Sequence, residues 1–234
     1  MHRVVEPELL DDLPFGDLQA IGSRADLWLV NCLMGNAGIL SRTLRPQLAR
    51  TPNGSRTLRL VELGAGDGTM LLRLARRWSA QGLKAEITLL DREDLVSAET
   101  RRGFATLAWP LQIVPIDVLD WLEQPAPPAD VMIANLFLHH FADARLRDLL
   151  WLAAARTNLF VACEPRRSPL ALAASRFLSL IGCNVTTQHD AVVSVRAGFV
   201  GGELSALWPS KTDWVTNERS AGLFSHSFVA RRNG

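Results

Sequence analysis

The first chemical signal lies in RLVELGAGDGTMLL, residues 59–72, where Glu62 precedes three glycines at alternate positions, Gly64, Gly66 and Gly68, with Asp67 among them. The run passes from a β-rich segment through a turn into a helical pattern, a setting in which backbone amides meet a nucleotide-type ligand. A turn that binds the pyrophosphate of a dinucleotide asks for G-x-G-x-x-G. Gly64 and Gly66 fit that pattern, but Thr69 stands at its third place. The Asp67 carboxylate would also repel a doubly charged pyrophosphate in a partly dehydrated site. The stretch disfavours a nicotinamide dinucleotide and favours a ligand that carries positive charge.

S-adenosylmethionine carries such charge in its sulfonium and amino groups, and its other parts can be sought along the chain. A ribose diol asks for an acid at the end of the second strand, where one carboxylate accepts from both hydroxyls; AEITLLD ends on Asp91, followed by Arg92. An adenine ring asks for apolar walls and an acceptor, and VPIDVLDW supplies Asp117 and Val118. Asn135 closes DVMIAN and, with Leu136, presents either a turn or a ligand-facing backbone. The expected cofactor set is therefore Glu62, Gly64, Ala65, Gly66, Asp91, Arg92, Asp117, Val118, Asn135 and Leu136. Helix capping is a competing use for Asp91 and Asp117.

Transfer of an activated methyl group needs alignment and exclusion of water, and neither a metal nor a covalent intermediate is expected. A hydroxyl acceptor would also need a base, for which histidine is suited at neutral pH. His139 and His140 follow the fourth strand, while His189 stands beside Asp190, which could fix its tautomer; His189 is the favoured base, with His140 and His139 as the other candidates. His226 alternates with Phe224 and Phe228 and reads as a packed structural residue. Arg166, Arg167 and Arg196 are candidates for an acidic group of the acceptor, and Trp28 and Phe177 for an aromatic pocket.

These residues need a scaffold. From about residue 58, short β-rich runs (TLRLVEL, AEITLLD, LQIVPID, DVMIAN, NLFVACE) alternate with amphipathic segments, the pattern of parallel strands joined by helical crossovers. TDWVTNE and LFSHSFVARR, with a turn over 219–222, predict a closing hairpin. Residues 24–50 predict one or two helices broken near Gly35-Asn36, and residues 169–185 an apolar lid helix. The expected fold class is α/β: a Rossmann-like, mostly parallel sheet with an antiparallel C-terminal hairpin strand and an N-terminal helical cap. The cap is assigned to residues 1–54 and the ligand-binding domain to 55–234, with a lid insertion around 166–200; Pro52-Asn53-Gly54-Ser55 reads as the linker.

At 234 residues and 48% hydrophobic content the chain can bury a large core, and a net charge of +1 argues against a nucleic-acid partner. Three scattered cysteines without C-x-x-C spacing suggest neither a disulfide framework nor zinc, and no apolar run is long enough for a stable membrane span. A cytoplasmic protein acting on a small-molecule acceptor is expected, with its oligomeric state left open.

VELGAGDGT, Asp91, IDVLD, ANLFLHHF and LFVACEP together resemble the motifs of class I S-adenosylmethionine-dependent methyltransferases, over roughly residues 24–234. QHDAVVSVRAGFVGGELSAL is similar to a segment of bacterial small-molecule methyltransferases of polyketide or quinone-type pathways, with Ala191 where glycine is expected. The resemblance implies methyl transfer to oxygen or carbon of an aromatic or polyketide-like acceptor. The alternative is a non-catalytic partner that binds S-adenosylmethionine and scaffolds a biosynthetic pathway.

Overall fold

The computed structural model describes residues 1–14, 16–48, 57–209 and 212–233. The expected linker at 52–55 and the boundary after residue 54 lie outside the described residues. Seven strands form one sheet in the order β3-β2-β1-β4-β5-β7-β6. They are β1 Leu58–Leu63, β2 Ala85–Asp91, β3 Leu111–Pro115, β4 Val131–Asn135, β5 Leu159–Pro165, β6 Trp214–Ala221 and β7 Ser225–Arg232. The first five pair in parallel, and β7 runs antiparallel to β5 and β6. The expected α/β fold class stands. Strand β6 runs on to Ala221, so the hairpin turn falls just beyond the expected 219–222.

Helices cover both faces. They are α1 Leu9–Asp12, α2 Leu18–Met34, α3 Asn36–Leu48, α4 Thr69–Ser79, α5 Ala98–Thr106, α6 Val118–Glu123, α7 Asp143–Arg156, α8 Pro169–Ser175, α9 Val185–Ala197 and α10 Glu203–Leu207. Strand β5 is buried along its whole length, as a strand covered on both faces must be. One core joins Leu60, Ile133 and Val161 of the sheet to Leu40 and Leu44 of α3 and to Leu71, Leu74 and Trp78 of α4. The opposite core joins Val61, Met132, Ala134 and Phe160 to Leu146, Leu149 and Leu150 of α7. The chain order reverses between β1 and β4, so a crevice opens at the carboxyl ends of these strands, where α/β sheets bind ligands.

Three elements differ from expectation. Helices α2 and α3 break at Gly35 (φ 71°) as expected, but α3 is packed into the sheet's core, and among the described residues of 1–54 the cavity lining comes from the segment through α2. The apolar stretch 169–185 is not one helix: α8 is followed by a 3₁₀ turn, Leu178–Ile181, that stops at Gly182 (φ 87°). Helix α9 follows in a region that lacks a clear period and is rich in β-branched residues. Asn184 caps it by accepting from the Thr187 amide, and burial of Thr186, Asp190 and Val193 holds it helical against weak intrinsic propensity.

The N-terminal residues cross the crevice as a strap. The Arg3 side chain donates to the carbonyls of Ala197 (2.8 Å) and Phe141 (2.8 Å) and pairs with Asp143 (2.7 Å). Further along, the Leu9 and Leu10 amides donate to the Asp190 carboxylate at 2.8 and 3.0 Å.

Candidate active site

The crevice is a cavity of about 1490 Å³ whose lining includes all ten residues expected to hold a cofactor. Its floor is built by strand ends. Gly64 (φ 63°) leaves β1 in a conformation that side chains rarely adopt, and a Cβ there would lie 2.1 Å from the Phe137 ring. The chain thereby turns below Phe137 while its backbone faces the cavity. The Gly66 amide donates to Asp91 Oδ2 (2.8 Å) and the Arg92 amide to Asp91 Oδ1 (2.8 Å), so the acid at the end of β2 also fixes the glycine turn. Asp67 is exposed and caps α4 by accepting from the Thr69 amide at 3.0 Å. Asp117 caps α6, accepting from the Leu119 amide at 2.8 Å, and still lines the cavity.

Two polar atoms on this floor are buried and have no hydrogen-bond partner among the described residues: Glu62 Oε2 and Asn135 Oδ1. Burial, with Asp67 and Asp91 nearby, raises the Glu62 carboxyl well above the usual range. Such a site is relieved by a cation that donates hydrogen bonds. Asn135 Nδ2 donates to Asn31 Oδ1 of α2 (3.0 Å), which orients its free oxygen. Leu136 has φ 52°, unusual for a branched side chain, and its amide donates to the Cys163 carbonyl (2.9 Å).

Beside the floor lies a cluster of carboxylates and imidazoles. Glu164, fully buried at the end of β5, accepts from the Phe137 and Leu138 amides (3.1 and 2.9 Å) and pairs with His139 Nδ1 (2.8 Å). His139 Nε2 faces Glu8 Oε1 of the strap at 3.3 Å, and His140 Nε2 faces Glu8 Oε2 at 3.3 Å. Ser194 of α9 also donates to Glu8. Burial would lower the pKa of His139, but its hydrogen bonds and charge interactions with Glu164 and Glu8 outweigh that and raise it to about 9. For Glu8, burial pushes the carboxyl up, and the two imidazoles more than reverse this, leaving it well below the carboxylate range. His140 is the more open ring. Its Nδ1 lies 3.0 Å from the Phe137 carbonyl, which can only accept, so Nδ1 donates there, while Nε2 faces the Glu8 carboxylate.

His139 and His140 thus line the cavity together, and His189 does not. The His189 ring is 48% exposed on α9, away from the cavity lining. Asp190 is 3.1 Å from its Nδ1, but that carboxylate is committed to the α1 amides. The acid beside His189 also ties down the strap. Arg166 and Arg167 also leave the cavity. Arg167 is buried and donates to the carbonyls of Met1 and Gly198 and to Glu203. Arg196 faces Glu6 at 3.8 Å. His226, fully buried, pairs with Glu218 (2.8 Å) as a structural residue. Trp28 and Phe177 line the cavity. Sequence reasoning missed Glu8 and Glu164. Glu164 had a usable signal, an acid at a strand's carboxyl end like Asp91, whereas Glu8 had none.

Comparison with solved structures concerns the fold: the chain shares the α/β fold of several methyltransferases. The plantazolicin methyltransferase BamL superposes with a TM-score of 0.65 over 96% of this chain and 93% of its own, at 8% identity. Magnesium protoporphyrin IX methyltransferase from Synechocystis PCC 6803, with bound S-adenosylhomocysteine, gives 0.54 over 86% of this chain and 83% of its own, at 13% identity. The C-methyltransferase domain of the citrinin polyketide synthase gives 0.57 over 82% and 51%, at 14% identity. Among curated proteins, trans-aconitate 2-methyltransferase of Mycobacterium tuberculosis is 33% identical over 84 residues, 36% of this chain. The match spans 28% of that relative's length. No family model matches the chain.

Proposed function

We propose that this chain is an S-adenosylmethionine-dependent methyltransferase acting on oxygen or carbon of a small aromatic or polyketide-like acceptor. The observation that carries the reading is the pair of buried, unpartnered acceptors, Glu62 Oε2 and Asn135 Oδ1, at the point where strand order reverses. They suit an ammonium group, and a pyrophosphate would be repelled there. Asp91 and the Arg92 region would hold the ribose hydroxyls, Asp117 and Val118 the adenine, and Gly64, Ala65, Gly66 and Leu136 would offer backbone at close range. When bound, the cofactor supplies a methyl carbon already made electrophilic by its sulfonium.

The remaining work falls to this chain's own groups. The strap, α2 and the lid insertion of 166–200 enclose the crevice and exclude water. For a hydroxyl acceptor, the His140–Glu8 pair takes the proton, His140 Nε2 and Glu8 Oε2 facing each other at 3.3 Å. His139, held between Glu164 and Glu8, fixes the position of Glu8 and of the turn that carries His140. The three thiols are free, which agrees with a cytoplasmic setting, and no described helix is long and apolar enough to cross a membrane.

Calorimetric titration tests the reading. S-adenosylmethionine and S-adenosylhomocysteine should bind and NAD should not; preferential NAD binding would overturn it. On a phenol and quinol panel, His140→Ala should keep cofactor affinity and lower turnover by about 10²- to 10⁴-fold. Unchanged turnover would assign a carbon acceptor or catalysis by positioning alone.

A further inference from the structure

The cavity's volume does not by itself describe the acceptor, because about 1490 Å³ is a space for two ligands. The distribution of its polar groups says more. They gather at the floor and at the His140 cluster, whereas large apolar side chains dominate the opposite wall. Ile21, Trp28 and Leu33 of α2 face it, with Phe177 and Ile181 from the 3₁₀ turn after α8. These five side chains are 47–62% exposed, and Leu180 beyond them is 79% exposed. Of the polar groups along this wall, Ser23 donates to Asn184, Ser175 to the Leu172 carbonyl and Arg73 to Cys32 Sγ, and Arg24 is also engaged. A polar acceptor extending this way would leave its own groups unpaired, and an apolar one would cover surface that otherwise faces water.

We propose that the acceptor is an amphiphile: a hydroxylated aromatic head at His140 that carries an unbranched alkyl chain laid between α2 and the 3₁₀ turn, pointing toward Leu180. This rests on the methyltransferase reading, and names the substrate class for that same site. The head meets the base and the methyl donor, while the chain supplies binding area remote from the reacting atoms.

The test is a calorimetric series of 4-alkylphenols, methyl to decyl, each below its aggregation concentration, on the full chain with and without S-adenosylhomocysteine. Kd should fall about fourfold per added methylene and level off for the longest chains. The double variant Leu33→Ser, Ile181→Ser changes only exposed side chains, so its fold should survive. It should weaken decylphenol binding at least tenfold and leave 4-methylphenol and S-adenosylhomocysteine within about twofold. A Kd independent of chain length, a variant without effect, or no alkylphenol binding would each overturn the proposal. Self-association that buries Trp28, or liposome binding without monomeric alkylphenol binding, would overturn it in favour of a protein or membrane interface. The methyltransferase reading fails separately, by loss of cofactor binding or of methyl transfer to 4-methylphenol.

Discussion

The floor and the wall of the cavity are built on different principles. The floor consists of strand ends and turns, where backbone geometry fixes each group: Gly64 below Phe137, the Gly66 amide on Asp91, and Glu62 at the end of β1. The wall consists of side chains from α2, the lid insertion and the strap, brought together from distant parts of the sequence. On the proposed function, the difference teaches that the cofactor would be held by local chain geometry. The acceptor would meet surfaces whose composition can change without disturbing the sheet.

The strongest blow to the floor should come from Gly64→Ala. Its new Cβ would overlap Phe137 in a strained backbone conformation, so cofactor affinity should fall at least about 100-fold by calorimetry, with a stability loss of about 2–4 kcal/mol. Retained affinity would mean that the glycine turn is not the cofactor's cradle. Glu62→Gln separates binding from stability on the same floor. It should weaken cofactor binding by about 10- to 100-fold while leaving Tm unchanged or raised, because the buried carboxylate has an unpaired oxygen without its ligand. A lower Tm with unchanged affinity would make Glu62 a structural residue.

On the strap, pH is the sharper probe. His139 has a folded-state pKa raised to about 9, so its stabilising effect is complete below its ordinary value of about 6.5 and is lost as pH rises through 9. Unfolding free energy should fall by up to about 3 kcal/mol over that window, and Glu8→Gln should flatten the decline by removing one of the two carboxylates that face the ring. An unchanged pH profile in Glu8→Gln would detach the strap from His139. The smallest effect belongs to the wall: Trp28→Ser should shift stability by less than about 0.5 kcal/mol, since that ring is 55% exposed. A larger loss would show that the wall is core and would break the comparison with the floor.

The sequence by itself determined the sheet and the floor. Periodicity marked the five parallel strands and the closing hairpin, and the acids and glycines at strand ends marked Glu62, Gly64, Gly66, Asp91, Asp117 and Asn135, because each depends on its own strand and the turn that follows. Only the tertiary structure decided which carboxylate serves which histidine. Asp190, next to His189 in sequence, meets that ring at 3.1 Å but also holds the α1 amides, while Glu8, 131 residues from His139, closes on its ring. A long-range side-chain pair is settled by where packing brings two segments together. For the same physical reason α9 was illegible: its helicity comes from what it buries against α1, α2 and α8, a property no local run of residues contains.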